Sequence, residues 1–96
     1  MNILVTYDVS TETPTGQRRL RQVAIACKNY GQRVQLSVFE CRVNETQYEA
    51  FRSQLLDIID PKVDSLRFYK LSASREQCLE CFGVDKYIDF DEPLIL

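Results

Sequence analysis

Five consecutive residues, Ile3-Leu4-Val5-Thr6-Tyr7, are aliphatic, β-branched or aromatic. Such a run predicts a short buried central strand, and Asp8 closes it. Polar residues with Pro14 and Gly16 follow, so Ser10 to Gly16 reads as a loop. Leu20, Val23, Ala24 and Cys27 then recur at i, i+3, i+4 and i+7, the spacing of one helix face. Arg18, Arg21, Gln22 and Lys28 fall elsewhere on that helix. Thr13 or Thr15 can cap its start, Pro14 suits a first helical position, and Gly31 after Tyr30 predicts an αL stop.

Residues 34–43 read as one long strand. Its apolar side changes midway, from Val34, Leu36 and Val38 to Phe39, Cys41 and Val43, with Ser37 on the second face. That change predicts a bulge, or a bend that lets ten residues count as two pairings. Asn44-Glu45-Thr46-Gln47 has the form of a capping box, and Tyr48, Phe51, Leu55 and Ile58 mark the helix face that follows. Asp60-Pro61 ends that helix. Residues 65–71 are a third strand, 75–82 have no clear period, and 87–90 fit a short edge strand. The apolar tail at 93–96 needs a cover, for which a second subunit's sheet is suited. This order predicts a single domain over residues 1–96: an α+β, ferredoxin-like sandwich, an antiparallel sheet with two helices on one face.

A chain of 96 residues holds one modest core and gains stability from a partner or a dimer. No stretch approaches the ~20 apolar residues that span a membrane. The N-terminus lacks the basic start of a signal peptide, so the chain is expected in the cytoplasm with its four cysteines reduced. Net charge is −2, which alone disfavours a nucleic-acid partner, but the charge is divided unevenly. Residues 1–43 hold six Lys/Arg against three Asp/Glu, and residues 44–96 hold six against eleven. The basic excess around Arg18, Arg19, Arg21, Lys28, Arg33 and Arg42 suits phosphate contact, although charge alone favours a solvated helix face.

Histidine is absent. Ser–His and Cys–His nucleophile pairs and all His metal ligands are therefore excluded. Cys78-Leu79-Glu80-Cys81 is a C-x-x-C, but Cys27 and Cys41 supply no matching second pair, and local packing is the simpler role. Asp8 is the sharpest candidate. A carboxylate just past an apolar strand stands at the rim of the sheet, where a ligand or a hard cation reaches it. One carboxylate binds Mg²⁺ weakly. Two, brought together across a two-fold axis, repel, which raises one pKa or recruits a cation. Spacing alone favours a strand-end Asp that caps a turn. Ser37 can touch a phosphate; Phe39 can stack on a base, though packing is its simpler role. Tyr7 faces away from Asp8, and core packing is its default.

At this point a resemblance enters. The first strand ending Leu4-Val5-Thr6-Tyr7-Asp8-Val9 is followed by Arg18-Arg19-Leu20-Arg21-Gln22-Val23-Ala24 and by residues 27–35. Ser37-Val38-Phe39-Glu40-Cys41, Asp64-Ser65-Leu66-Arg67-Phe68-Tyr69 and the ending Asp91-Glu92-Pro93-Leu94-Ile95 complete the set. In this order the pieces resemble the CRISPR-associated endoribonuclease two family, the small subunit of the spacer-acquisition module, in its variety from subtype C of type I systems. The likeness runs over essentially the whole chain, with residues 72–86 carrying little of it. It implies a ferredoxin-like fold and a homodimer whose last strand pairs with the partner's sheet. It also implies a Mg²⁺ site built from Asp8 of both subunits, with Asp8 as the catalytic residue. The family's nucleic-acid contacts fall on Arg18, Arg19, Arg21, Arg33 and Ser37, and its supporting or interface residues on Tyr7 and Phe39.

The resemblance implies two functions of different class. One is a metal-dependent endonuclease acting on RNA or DNA alongside the CRISPR integrase, in which paired Asp8 carboxylates hold Mg²⁺ and arginines clamp the backbone. The other is a non-catalytic dimeric scaffold that bridges integrase dimers and carries spacer DNA on the same arginines, and the uneven charge supports it. A small-ligand regulatory domain ranks last, because no Gly-rich ligand loop is present.

Overall fold

In the first strand alternate residues separate into two environments. Ile3, Val5 and Tyr7 are buried, while Leu4 and Thr6 are partly covered and Asp8 is exposed. The computed structural model describes residues 1–89 and arranges them as β1 (Asn2–Asp8), α1 (Pro14–Tyr30), β2 (Gly31–Gln35), β3 (Val38–Arg42), α2 (Glu45–Ile58), β4 (Ser65–Leu71) and α3 (Arg75–Cys78). The four strands form one antiparallel sheet in the order β2-β3-β1-β4, with β1 between β3 and β4. This is the ferredoxin-like α+β order. The buried residues of α1 and α2 join Ile3, Val5, Tyr7, Phe39 and Cys41 in one core on one side of the sheet. Thr6 and Asp8 lie on the other side.

The second helix starts as its sequence predicts. Asn44 Oδ1 accepts from Gln47 N–H at 2.8 Å and Gln47 Oε1 accepts from Asn44 N–H at 2.9 Å, so two otherwise orphaned donors are satisfied. Tyr48, Phe51 and Leu55 are buried along it. Phe51 is fully buried, stacks on Tyr30 with ring centroids 4.5 Å apart and meets Phe68 edge-on at 5.9 Å.

Four local expectations change. The first helix begins at Pro14, which shortens the expected loop but is the start that the Thr13 cap and Pro14 offered: Thr13 Oγ1 accepts from Gly16 N–H at 3.1 Å and Pro14 needs no donor there. Its buried face is Val23, Ala26 and Cys27, with Ala24 only partly covered. Gly31 ends it in extended backbone (φ −160°), not αL. Glycine is required there by proximity: a Cβ would meet Cys41 Sγ and would stand 2.5 Å from Glu40 O. Finally, the long strand does bend into two pairings, as its change of apolar side allows, but as a tight hairpin. β2 and β3 flank a two-residue turn at Leu36 and Ser37, and the register slips between Arg33 and Gln35. Among the described residues no non-glycine residue has positive φ, so this is not a standard two-residue hairpin turn. Tyr7 holds it from outside: its N–H donates to Ser37 O at 3.1 Å and its phenol to Leu36 O at 3.4 Å.

Beyond β4 the chain folds back over the open face of the sheet. Arg75 donates to Glu40 at 3.1 Å and to Asp85 at 2.9 Å, and its guanidinium lies 3.8 Å from the Tyr87 ring centroid. Residues 87–89, expected in an edge strand, form none. Instead the Gln32 side-chain amide bonds both main-chain groups of Ile88, at 2.9 and 2.6 Å. Phe90 and the tail at 93–96, including the strand expected to join a partner, lie outside the described residues.

Candidate nucleic-acid interface and metal site

Pleating sends Thr6 and Asp8 to the helix-free face, and the β1–β4 register sets Ser65 opposite Asp8 and Arg67 opposite Thr6. Together these four residues line a shallow concavity of about 260 Å³. The Asp8 carboxylate is in no ion pair or side-chain hydrogen bond among the described residues. Two hydroxyls and one exposed carboxylate form an oxygen-only donor set, which suits a hard cation. No cluster of three Cys, Asp or Glu exists among the described residues, so one chain offers such a cation a single carboxylate.

Asp8 is held in place from behind. Asp64, whose side chain is fully buried, accepts from Ser10 N–H at 3.0 Å, Asp60 N–H at 2.8 Å and Arg19 Nε at 2.8 Å. Burial works to raise the Asp64 pKa, but the hydrogen bonds from Arg19, Asp60 and Ser10 outweigh it and hold the carboxyl below the usual range. Gly16 presses on the same loop, leaving no space for a Cβ against the Ser10 carbonyl. The loop leaving Asp8 is thus pinned to α1, to the turn after α2 and to the entry of β4.

The remaining expected site residues divide into three groups. Arg18 and Arg21 are exposed on α1 and share a stripe with Lys28 and the exposed Ile25. Arg19 is turned inward onto Asp64, with its side chain only 18% exposed, so its charge is already committed to a carboxylate. Arg33, Tyr7 and Phe39 gather on the helix side, opposite Asp8. The Arg33 guanidinium lies 5.3 Å from the Phe39 ring centroid, and Tyr7 stacks on Phe39 at 6.2 Å. Burial raises the Tyr7 pKa, against the pull of the neighbouring Arg33. Phe39 is fully buried, and Ser37 sits in the hairpin turn.

The cysteines contribute no site. Burial pushes Cys27 and Cys41 up to about 12, which keeps both as inert thiols. Cys78 and Cys81 are exposed, so the packing role expected for the C-x-x-C does not hold. A second hollow of about 290 Å³ lies between β2–β3 and the returning segment. Its Arg75 is already bonded to Glu40 and Asp85.

The family model for "CRISPR associated protein Cas2" matches residues 1–78. The chain belongs to the Cas2 family. A "CRISPR-associated endoribonuclease Cas2 1" from Moorella thermoacetica is 56% identical over 96 residues, covering both chains completely. A "CRISPR-associated endonuclease Cas2" from Halalkalibacterium halodurans is 48% identical over 95 residues, covering 99% of each. Among solved structures, Cas2 of Streptococcus pyogenes is 52% identical with a TM-score of 0.77, over 86% of this chain and 100% of that one.

Ser65 and Arg67 were not expected at the site. Alternation in β4 puts both on one face, but only the pairing of β4 with β1 in this Cas2 chain brings them to Asp8.

Proposed function

We propose that this Cas2 protein is a metal-dependent endonuclease that works as a homodimer in CRISPR spacer acquisition. The observation that carries this reading is Asp8: an exposed, unbonded carboxylate in a polar concavity, at the end of β1 just before a loop pinned from three sides. The printed names of its relatives, endoribonuclease and endonuclease, support it.

Asp8 from each of two chains, with the Thr6 and Ser65 hydroxyls beside it, would hold one Mg²⁺. When bound, such an ion supplies Lewis acidity at a phosphodiester. The residues of the chain do the rest. Asp8 is the one carboxylate among the described residues that line the concavity, so no second carboxylate of the same chain stands beside it. Arg18 and Arg21 bind backbone phosphates from the outer face of α1, and Arg33 from the hairpin edge. Arg19 holds Asp64 and is left out of that set. Tyr7 and Phe39 support the hairpin that carries Ser37.

Purified protein with labelled RNA or duplex DNA tests the assignment. Asp8→Asn should abolish cleavage, and EDTA should stop the wild type until Mg²⁺ is restored. Undiminished cleavage by a correctly folded Asp8→Asn protein would remove Asp8 from the centre. The scaffold reading rests on a different observation, the exposed basic stripe of α1 on the layer opposite Asp8. It is favoured if spacer acquisition with the integrase dimers survives Asp8→Asn but is lost in Arg18→Glu with Arg21→Glu.

A further inference from the structure

The arginines of this chain are not equivalent. Arg19 is committed to Asp64, and Arg75 is shared between Glu40 and Asp85. Arg67 has neither kind of partner. It is exposed, its one side-chain hydrogen bond goes from Nη1 to the Tyr69 hydroxyl at 3.0 Å, and it forms no ion pair among the described residues. A neutral phenol orients the guanidinium but leaves its charge uncompensated. Arg67 also lines the concavity that holds Asp8 without closing on it. The register places the two on a diagonal across β1 and β4, where facing residues stand about 7–8 Å apart. That backbone separation is short against the reach of an arginine side chain, so Asp8 and Arg67 can address one phosphate seated in the concavity they share.

We propose that Arg67 is a further catalytic residue, one that donates hydrogen bonds to the non-bridging oxygens of the scissile phosphate. The proposal rests on the nuclease reading above. In hydrolysis a water oxygen bonds to phosphorus while the P–O bond to one sugar oxygen breaks. The bonding pair leaves on that sugar oxygen, which gains a proton as the water loses one. Negative charge grows on the non-bridging oxygens midway, and a planar guanidinium offers them paired donors. Arginine stays protonated throughout, so its part is electrostatic and the protons travel elsewhere. Tyr69 is the positioning residue that aims it. Nothing in the sequence marks Arg67 for this role, since its neighbour Asp8 is 59 positions away.

Single-turnover cleavage and equilibrium binding, measured on one labelled substrate with Arg67→Ala, Arg67→Lys, Tyr69→Phe and Asp8→Asn, test the assignment. Arg67→Ala should lower the cleavage rate by about 10²–10³-fold, as loss of one oxyanion donor does. Its Kd should move less than threefold. Arg67→Lys should recover part of the rate, Tyr69→Phe should lose only a few-fold, and added guanidinium ion should raise the rate of Arg67→Ala but not of Asp8→Asn. A purely structural Arg67 would show no such rescue. If Arg67→Ala cleaves within threefold of wild type while Asp8→Asn is inactive, Arg67 is not catalytic and the nuclease reading stands. If Asp8→Asn also cleaves normally, the nuclease centre itself is misplaced and the proposal falls with it. If Arg67→Ala loses rate and binding equally, Arg67 is a binding residue and the proposal is overturned.

Discussion

Replacing Asp64 should cost more than its position on a surface turn suggests. The carboxylate accepts hydrogen bonds from two main-chain N–H groups, of Ser10 and Asp60, and from Arg19, and its side chain is fully buried. Asp64→Ala leaves both N–H groups without an acceptor, at about 1–3 kcal/mol each. Ser10 and Asp60 are themselves only partly buried, which favours the lower half of that range, so the total is about 3 kcal/mol. This meets the lower end of the ~3–5 kcal/mol typical of a broken buried pair. For a domain of this size such a loss lowers Tm by roughly 12–24 °C. Asp64→Asn keeps the shape and one acceptor oxygen but loses the charge and sets an NH₂ against the donors that met the other oxygen, so it should fall between Asp64→Ala and wild type. The pH dependence has a definite sign. The folded pKa is lowered, so the ionic part of the stability is complete above the unfolded value of about 3.9. It is lost as pH falls through the lower folded value. Calorimetry from pH 7 to pH 3 should therefore show the gap between wild type and Asp64→Asn closing at the acid end. A gap that stays constant over that range, or an Asp64→Ala protein melting within 3 °C of wild type at pH 7, would refute the argument.

Three other outcomes are expected. Phe51→Ala opens a hole beneath Tyr30 and Phe68 and should cost about 3–5 kcal/mol in urea denaturation. Gly16→Ala drives a methyl group into the Ser10 carbonyl, and amide exchange should report the disturbance first at Ser10 and in the turn leaving Asp8. Arg75→Ala frees Glu40 and Asp85, so chymotrypsin should cut after the exposed Phe82 several-fold faster while the core melts within a few degrees of wild type.

Much of the architecture could be read from the residues because its signals are local. The capping box at Asn44, the stripe of Tyr48, Phe51 and Leu55, and the strand at 65–71 need only their own neighbours. The bend in residues 34–43 shows in the change of apolar side, but its place as a tight turn at Leu36 and Ser37 does not. That turn has no Gly or Asn, and Tyr7, some thirty residues earlier, supplies the bonds that hold it. Gly31 was recognised as a stop for the wrong reason, since the constraint comes from Cys41 and Glu40 across the sheet. At the site, Asp8 was visible as a strand-end carboxylate. Arg18 and Arg19 are adjacent and chemically alike, and only the fold turns one outward and the other onto Asp64. Ser65 and Arg67 required the knowledge that β4 lies beside β1.

That pairing also governs when the centre can exist. The contacts around Asp8 bridge sequence separations of 45 and 54 residues, and its concavity is shared by the first strand and the fourth. Contacts of such range close late, because loop entropy must be overcome before they contribute. A chain still being synthesised carries Asp8 from its first few residues but has nothing to set against it until residue 71 has emerged and β4 has docked. A fragment thereby lacks the candidate site, which comes into being only with the finished fold.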